Sequence, residues 1–261
     1  MTLSSNNSLP RQLTRQQLEL INRRTIRYPL PIAEKDYYLA LAVQLIHQSP
    51  LRDVLVFKGG TALHRCYLSQ KRFSEDLDFT SLDNSLSLEQ VTAILESSGL
   101  FRVNRSYQSD FTIKIDRLQY QGLLGQPGNI KVEIDCYQNV ILPPRVAVYE
   151  NVWQVDTSIV VMDELEVCAE KIRAVSQRAR YRDFYDLYHL ANERQLDLRQ
   201  AALLLHQKEI RTPIIAENIS RNWQVAKAQK NRDLGTIYCS EAVSDDDIEQ
   251  LISGIMFEDI R

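Results

Sequence analysis

The stretch "VFKGGTALHRCYLSQKRFSEDLDFT", residues 56–80, decides how the chain folds. An apolar run, VLVF (54–57), meets a glycine pair at Gly59 and Gly60. A helical pattern follows in TALHRCYL (61–68), and DLDFT (76–80) then alternates. The segment reads as strand, turn, helix, strand. Side chains two apart in a strand share a face, so Asp76 and Asp78 point one way and Leu77 and Phe79 the other. Two carboxylates so placed repel each other unless they are solvated or share a cation. An oxygen-only donor set with few protein ligands suits Mg²⁺ or Mn²⁺, which fill their shells with water and phosphate oxygens.

A third acid is at hand in IKVEIDCY (130–137), which also alternates and sets Glu133 and Asp135 on one face with Lys131. If this strand lies beside DLDF, either acid completes the donor set of a metal-assisted phosphoryl displacement. KGGT meets the other need of that chemistry. Glycines at a strand-to-helix turn let backbone N–H groups approach a phosphate, and Thr61 adds a hydroxyl. Ser74, two residues before Asp76, is placed toward the γ-phosphate side. The GK[ST] ending of a Walker loop is absent. Alone, an acid pair marks a solvated face and a glycine pair a turn. The conjunction of strand, GG, helix, DxD and a later ExD strand is what points to a site.

Further along, ELEVCAEKIRAVSQRARYRDFYDLYHL (164–190) carries Lys171, Arg173, Arg178, Arg180 and Arg182 with no acid between them, then Asp183 and Asp186. On one continuous helix, Arg178 and Arg182 fall within about 20° of the Lys171 direction, Asp186 within about 60°, and Asp183 about 120° away. Lys171, Arg178 and Arg182 then form a basic stripe suited to a triphosphate or a nucleic-acid backbone. That geometry favours Asp186 over Asp183 for sharing a site with Lys171, the alternative role for Asp183 being to cap or brace the fold. Tyr181, Tyr185 and Tyr188 have the spacing of core aromatics, and His64 and His189 read as structural.

The 261 residues suffice for one large domain or two smaller ones. A net charge of −3 excludes a generally basic nucleic-acid binder, so any such site is a local patch. The four cysteines form no CxxC pair, which excludes a disulfide framework and a zinc ribbon, and Cys66 and Cys136 read as small core residues. No GxGxxG motif supports hydride chemistry. No signal-peptide core or membrane-length apolar run is present, so a cytoplasmic location is expected.

Helical patterns cover 13–24, 33–48, 88–98, 163–193, 197–208, 214–229 and 244–255; 101–107 and 110–118 alternate as strands, and 122–129 reads as a turn. Residues 1–12 are polar and read as frayed, and the basic residues Arg11, Arg15, Arg23, Arg24 and Arg27 as a solvated helix face. The expected architecture is α/β (α+β). A mixed-sheet core occupies 1–158 and a helical domain with the basic helix occupies 159–261.

This conjunction resembles the nucleotidyltransferase superfamily related to DNA polymerase β. The wording of FKGGTAL, RFSEDLDF, IKVEID and EKIRAVSQRARYRDFYDLYHL is similar to the AbiEii/AbiGii toxins of type IV toxin–antitoxin systems. That resemblance implies a functional lysine at Lys171 and a functional acid at Asp183 or Asp186. It implies NTP phosphates held by Gly59, Gly60, Thr61, Ser74, Lys171, Arg178 and Arg182, with metal held by Asp76, Asp78 and Glu133 or Asp135. The implied reaction moves an NMP from NTP to an RNA acceptor such as a tRNA 3′ end, releases pyrophosphate, and is restrained by an antitoxin encoded nearby. Transfer to a protein or small molecule, and an inactive nucleotide-binding regulator, are the alternatives.

Overall fold

The computed structural model describes residues 12–209, 212–255 and 258–260; the polar start of the chain, including Arg11, lies outside them. Among the described residues the expected mixture of strands and helices takes the form of one seven-stranded mixed sheet and nine α-helices.

Strands β1 (Leu55–Lys58) and β2 (Asp76–Ser81) flank helix α3 (Gly59–Cys66). Next come β3 (Phe101–Ser109), β4 (Thr112–Gln121), β5 (Pro127–Asp135), β6 (Arg145–Val148) and β7 (Ser158–Val161). Across the sheet the order is β3-β4-β5-β2-β1-β7-β6. β2 pairs parallel with β5 and β1 parallel with β7, while the other neighbours are antiparallel. The alternation in the sequence becomes two faces. Leu77, Phe79, Ile113, Ile115, Leu118, Tyr120, Val132 and Ile134 are buried on one side. Helix α2 (Leu30–His47) packs there, with Tyr38 stacked on Tyr120 at 3.9 Å between ring centroids. The acids face the other way.

Helix α2 is buried on nearly every side, as an apolar helix in the middle of a layer must be. Its deepest charge is Asp36, which pairs with the buried Arg65 of α3 and accepts a 2.9 Å bond from the indole N–H of Trp153. Arg65 also donates to the Glu150 carbonyl at 3.0 Å. This knot clamps α2, α3 and the segment before β7 together.

Several boundaries differ from expectation. The turn expected over 122–129 is shorter, and Pro127 already begins β5. β6 and β7, four residues each, are too short to show a period. The division expected at 158/159 falls in β7, which joins the sheet through Phe57↔Val161; the helical part starts at Glu164, and one hydrophobic core runs through both parts. Cys168 is the buried cysteine, whereas Cys66 and Cys136 are half-buried.

Removing one member of a buried ion pair strands its partner in a dry interior. Asp36→Ala is expected to destabilise the fold by about 3–5 kcal/mol. The measurement is the urea midpoint, which should fall with the slope unchanged.

Candidate active site

Register brings the acids together. Asp78 of β2 lies level with Glu133 of β5 and with Lys58 of β1, and Asp76 lies level with Lys131. Asp135 is one step further along, opposite Thr80. Asp76, Asp78 and Glu133 therefore form a compact group on the face away from α2. Asp135 is more committed: its Oδ1 accepts from the N–H groups of Tyr137 (2.9 Å) and Gln138 (3.0 Å), and its Oδ2 lies 3.5 Å from Lys58 Nζ. Glu133 makes a 3.1 Å, partly exposed pair with Lys114. Among the described residues no hydrogen bond or ion pair engages the Asp76 or Asp78 carboxylate. Burial, and then repulsion from Asp76 and Glu133, push the Asp78 carboxyl up to about 6. Burial and Glu75 also raise Asp76, against the pull of Lys131, Arg182 and Lys35.

The glycine pair is required here. Gly59 has φ +77°, and a Cβ on it would stand 2.4 Å from Asp78 Oδ2. A Cβ on Gly60 would stand 2.8 Å from both Ser74 Oγ and Arg72 Nη2. These glycines open the first turn of α3, so their free N–H groups face the acids' end of the sheet. Thr61 differs from expectation. It is buried and donates its hydroxyl to the Asp76 carbonyl at 2.5 Å, bracing β2 rather than offering that hydroxyl to a phosphate. Ser74 is half-buried beside Gly60.

The basic segment is not one helix. Helix α5 (Glu164–Gln177) stops at Arg178, whose backbone is extended (φ −150°, ψ 152°), and α6 (Tyr181–Asn192) begins three residues later. The angular bookkeeping of a continuous helix fails at this break. Lys171 is buried, and its Nζ lies 2.7 Å from Asp186 Oδ2 and 3.0 Å from Asp183 Oδ1, so both acids reach it. Arg178 holds Asp183 through Nε at 2.7 Å and Nη2 at 3.1 Å. Against burial, Lys171 and Arg178 keep the Asp183 carboxyl well below its usual range. Arg182 stands half-buried on α6, near enough to act on Asp76. Tyr181 and Tyr185 are core residues.

Asp186 also gathers partners that the sequence did not announce. Arg72 grips it with two bonds of 2.6 Å, and His64 Nε2 lies 2.9 Å from its Oδ1. Burial, with help from Arg72 and Lys171, lowers His64 to about 4, so at neutral pH the ring is uncharged and donates its N–H to the carboxylate. Arg72 sits in RFSEDLDF and His64 in the GG helix. Only their place in a quoted motif, not any period, singles them out.

The two walls enclose a cleft of about 350 Å³. Lys58, Gly59, Asp78, Glu133 and Asp135 line the sheet side, and Lys171, Arg173 and Arg178 line the side formed by α5 and its end. Glu170 is on the wall too, held down to about 2 against burial by Arg173, Lys58 and Lys208. Asp183 and Asp186 stand behind Lys171 and do not line the cleft. The arrangement sets a patch of hard oxygen donors against a wall of fixed cations. That is the complementarity a polyphosphate requires.

Crowding Asp78 costs stability whenever it is ionised. Its folded pKa is above the unfolded one, so stability falls as pH rises from the ordinary carboxylate range through about 6. Asp78→Asn is expected to be more stable than the parent at pH 8 in metal-free buffer, by roughly 2–3 kcal/mol. The gain should shrink as pH drops below about 6, read by urea denaturation at pH 8 and pH 4.5.

Comparison with known proteins agrees with this geometry. A family model described as "Nucleotidyl transferase AbiEii toxin, Type IV TA system" matches residues 41–250. No curated protein gives a significant match. Among solved structures, MenT4, a nucleotidyltransferase toxin from Mycobacterium tuberculosis H37Rv, shares the fold. The TM-score is 0.69, over 93% of this chain and 88% of that one, at 22% identity. The matched residues take in the glycine pair, the three acids and the lysine helix, and the chain belongs to the AbiEii family of nucleotidyltransferase toxins of type IV toxin–antitoxin systems.

Proposed function

We propose that this enzyme transfers an NMP from an NTP to an RNA acceptor, such as the 3′ end of a tRNA, and that it depends on a divalent cation. The observation that carries the reading is the facing of Asp78 and Glu133 against Lys171 and Arg178 across one cleft, with Asp76 two residues before Asp78 on the same face of β2. The donor set fits Mg²⁺ or Mn²⁺: three carboxylates, two of them without a hydrogen-bond or ion-pair partner among the described residues and both raised in pKa by burial and by neighbouring acids. A cation bound there would neutralise the triphosphate and the charge that develops on the α-phosphate.

The remaining roles belong to the chain. Gly59 and Gly60 present N–H groups to the phosphates, with Ser74 alongside. Lys171 and Arg178 balance the triphosphate charge, and Arg182 lends positive charge beside Asp76. Asp183 and Asp186 hold Lys171 at fixed height, with Arg72 and His64 fixing Asp186 in turn. Glu133, rather than the committed Asp135, would hold the metal together with Asp76 and Asp78, and it takes the proton of the attacking hydroxyl. The new bond joins the acceptor oxygen to the α-phosphorus, the bond to the β-phosphate oxygen breaks, and pyrophosphate leaves. As in other type IV systems, a cognate antitoxin restrains the activity.

The test is incubation of the purified protein with total tRNA, Mg²⁺ and each α-³²P-labelled NTP in turn, beside folded Asp76→Ala and Lys171→Ala variants. Label on tRNA is expected from the parent. A loss of at least a hundredfold is expected in either variant or in EDTA. Parent-level labelling by a folded Asp76→Ala protein would sink the metal assignment, and label on a protein or small molecule alone would replace the acceptor.

A further inference from the structure

The row of the sheet that holds the acids does not stop at the cleft. Reading straight across, Lys58, Asp78, Glu133, Lys114 and Tyr107 are register partners on β1, β2, β5, β4 and β3. Register partners point to the same face, so Tyr107 stands on the acids' side of the sheet, three strand spacings or about 14 Å from Asp78. Its neighbours on this face follow from the same register. Lys131 pairs with Asp76, and Arg102 pairs with Gln119, which faces Asn129; Arg105 sits opposite Arg117 between two register shifts of β3, beside Asp116, with which it pairs. The bulge between Ile115 and Leu118 sets Arg117 opposite the Lys131 region.

This wing is open. Its reverse side carries the buried residues under α2, but Arg102, Arg105, Tyr107, Arg117 and Lys131 are all exposed. Tyr107 is 57% exposed, and its ring has no ring contact or hydrogen bond among the described residues. Arg105 pairs with Asp116 at 3.2 Å, with 69% of its side chain exposed, and such surface pairs are readily exchanged for another anion. Four exposed cations around Tyr107, in a chain of net charge −3, form a local patch. It is continuous with the metal-binding acids, which themselves need shielding from an approaching polyanion.

Exposed aromatic rings flanked by arginine and lysine on an open sheet are what single-stranded RNA ends require. Bases stack on the ring and phosphates meet the cations. A protein partner of ordinary composition has no comparable need for four cations. We infer that the open face of β3, β4 and β5 is the platform on which the acceptor RNA lies. Tyr107 stacks on a base a few nucleotides from the reacting 3′ hydroxyl, and Arg105 and Arg117 hold backbone phosphates. This rests on the RNA reading above and adds the surface that reading lacks.

The experiment compares the full chain with Arg105→Ala/Arg117→Ala, Tyr107→Ala and Tyr107→Phe, each checked for an unchanged melting curve. Binding of total tRNA is measured across a salt series, and KM is measured for tRNA and for NTP. The double variant should weaken tRNA binding at least tenfold and lower the salt slope by about 1 per arginine, with the NTP KM unchanged. Tyr107→Ala should weaken tRNA binding roughly fivefold or more, and Tyr107→Phe should restore it, because the ring and not the hydroxyl does the stacking. If the parent modifies tRNA and the folded variants match it in affinity, slope and KM, the platform is overturned while the acceptor stands. If the variants keep those values but escape neutralisation by the antitoxin, the face is a protein contact and the inference likewise falls. If the parent neither binds nor labels tRNA, the acceptor reading falls first and the platform with it.

Discussion

The buried contact between Lys171 and Asp186 is the constraint on which the rest of the site depends. It ties α5 to α6 at 2.7 Å, and Arg72 extends the tie to the segment that leads into β2. Four charged groups lie there almost without solvent: Lys171, Asp183, Asp186 and Arg72. Each ion loses several kcal/mol of hydration on burial, so such a cluster persists only when every member is matched. Here each carboxylate has at least two cationic partners, and neutral His64 supplies one more donor. Burial of this kind is a weak source of net stability, but it fixes geometry, because any displacement would strand a charge. The lysine ammonium is thereby held at one height over the cleft.

Charge is handled differently on the facing wall. The acids of β2 and β5 are crowded rather than matched, and Asp78 bears the cost as a raised pKa. One wall is satisfied by the protein, and the other waits for something outside it. Preorganised cations and unfilled carboxylates form a site in which the ligand, not the fold, completes the electrostatics. The stability lost at Asp78 is the usual exchange between function and folding free energy.

Helices α2 and α3 make this possible. Asp36, Arg65 and Trp153 lock α2 and α3 against the sheet, and α3 carries the glycine pair. A bulky residue at either glycine would collide with Asp78 or with Arg72 and Ser74, so the turn, the acids and the buried ion cluster are adjacent parts of one packing problem.

Much of this is written locally. The alternation in DLDF sets Asp76 and Asp78 on one face of their strand, and that in IKVEID sets Glu133 and Asp135 on one face of theirs, because the strand period is two. The glycine pair between an apolar run and a helical pattern marks a close backbone approach. What lay beyond local reading was decided by pairing and by breaks. Only the parallel register of β2 with β5 separates Glu133, level with Asp78, from Asp135, which is tied to Lys58 and its own turn. Periodicity predicted one helix across 163–193, since no proline or glycine interrupts it. Tertiary ion pairs end it at Arg178 and turn Asp183 toward Lys171. The roles of Arg72 and His64 depend on contacts more than a hundred residues apart in sequence, over which no local pattern extends.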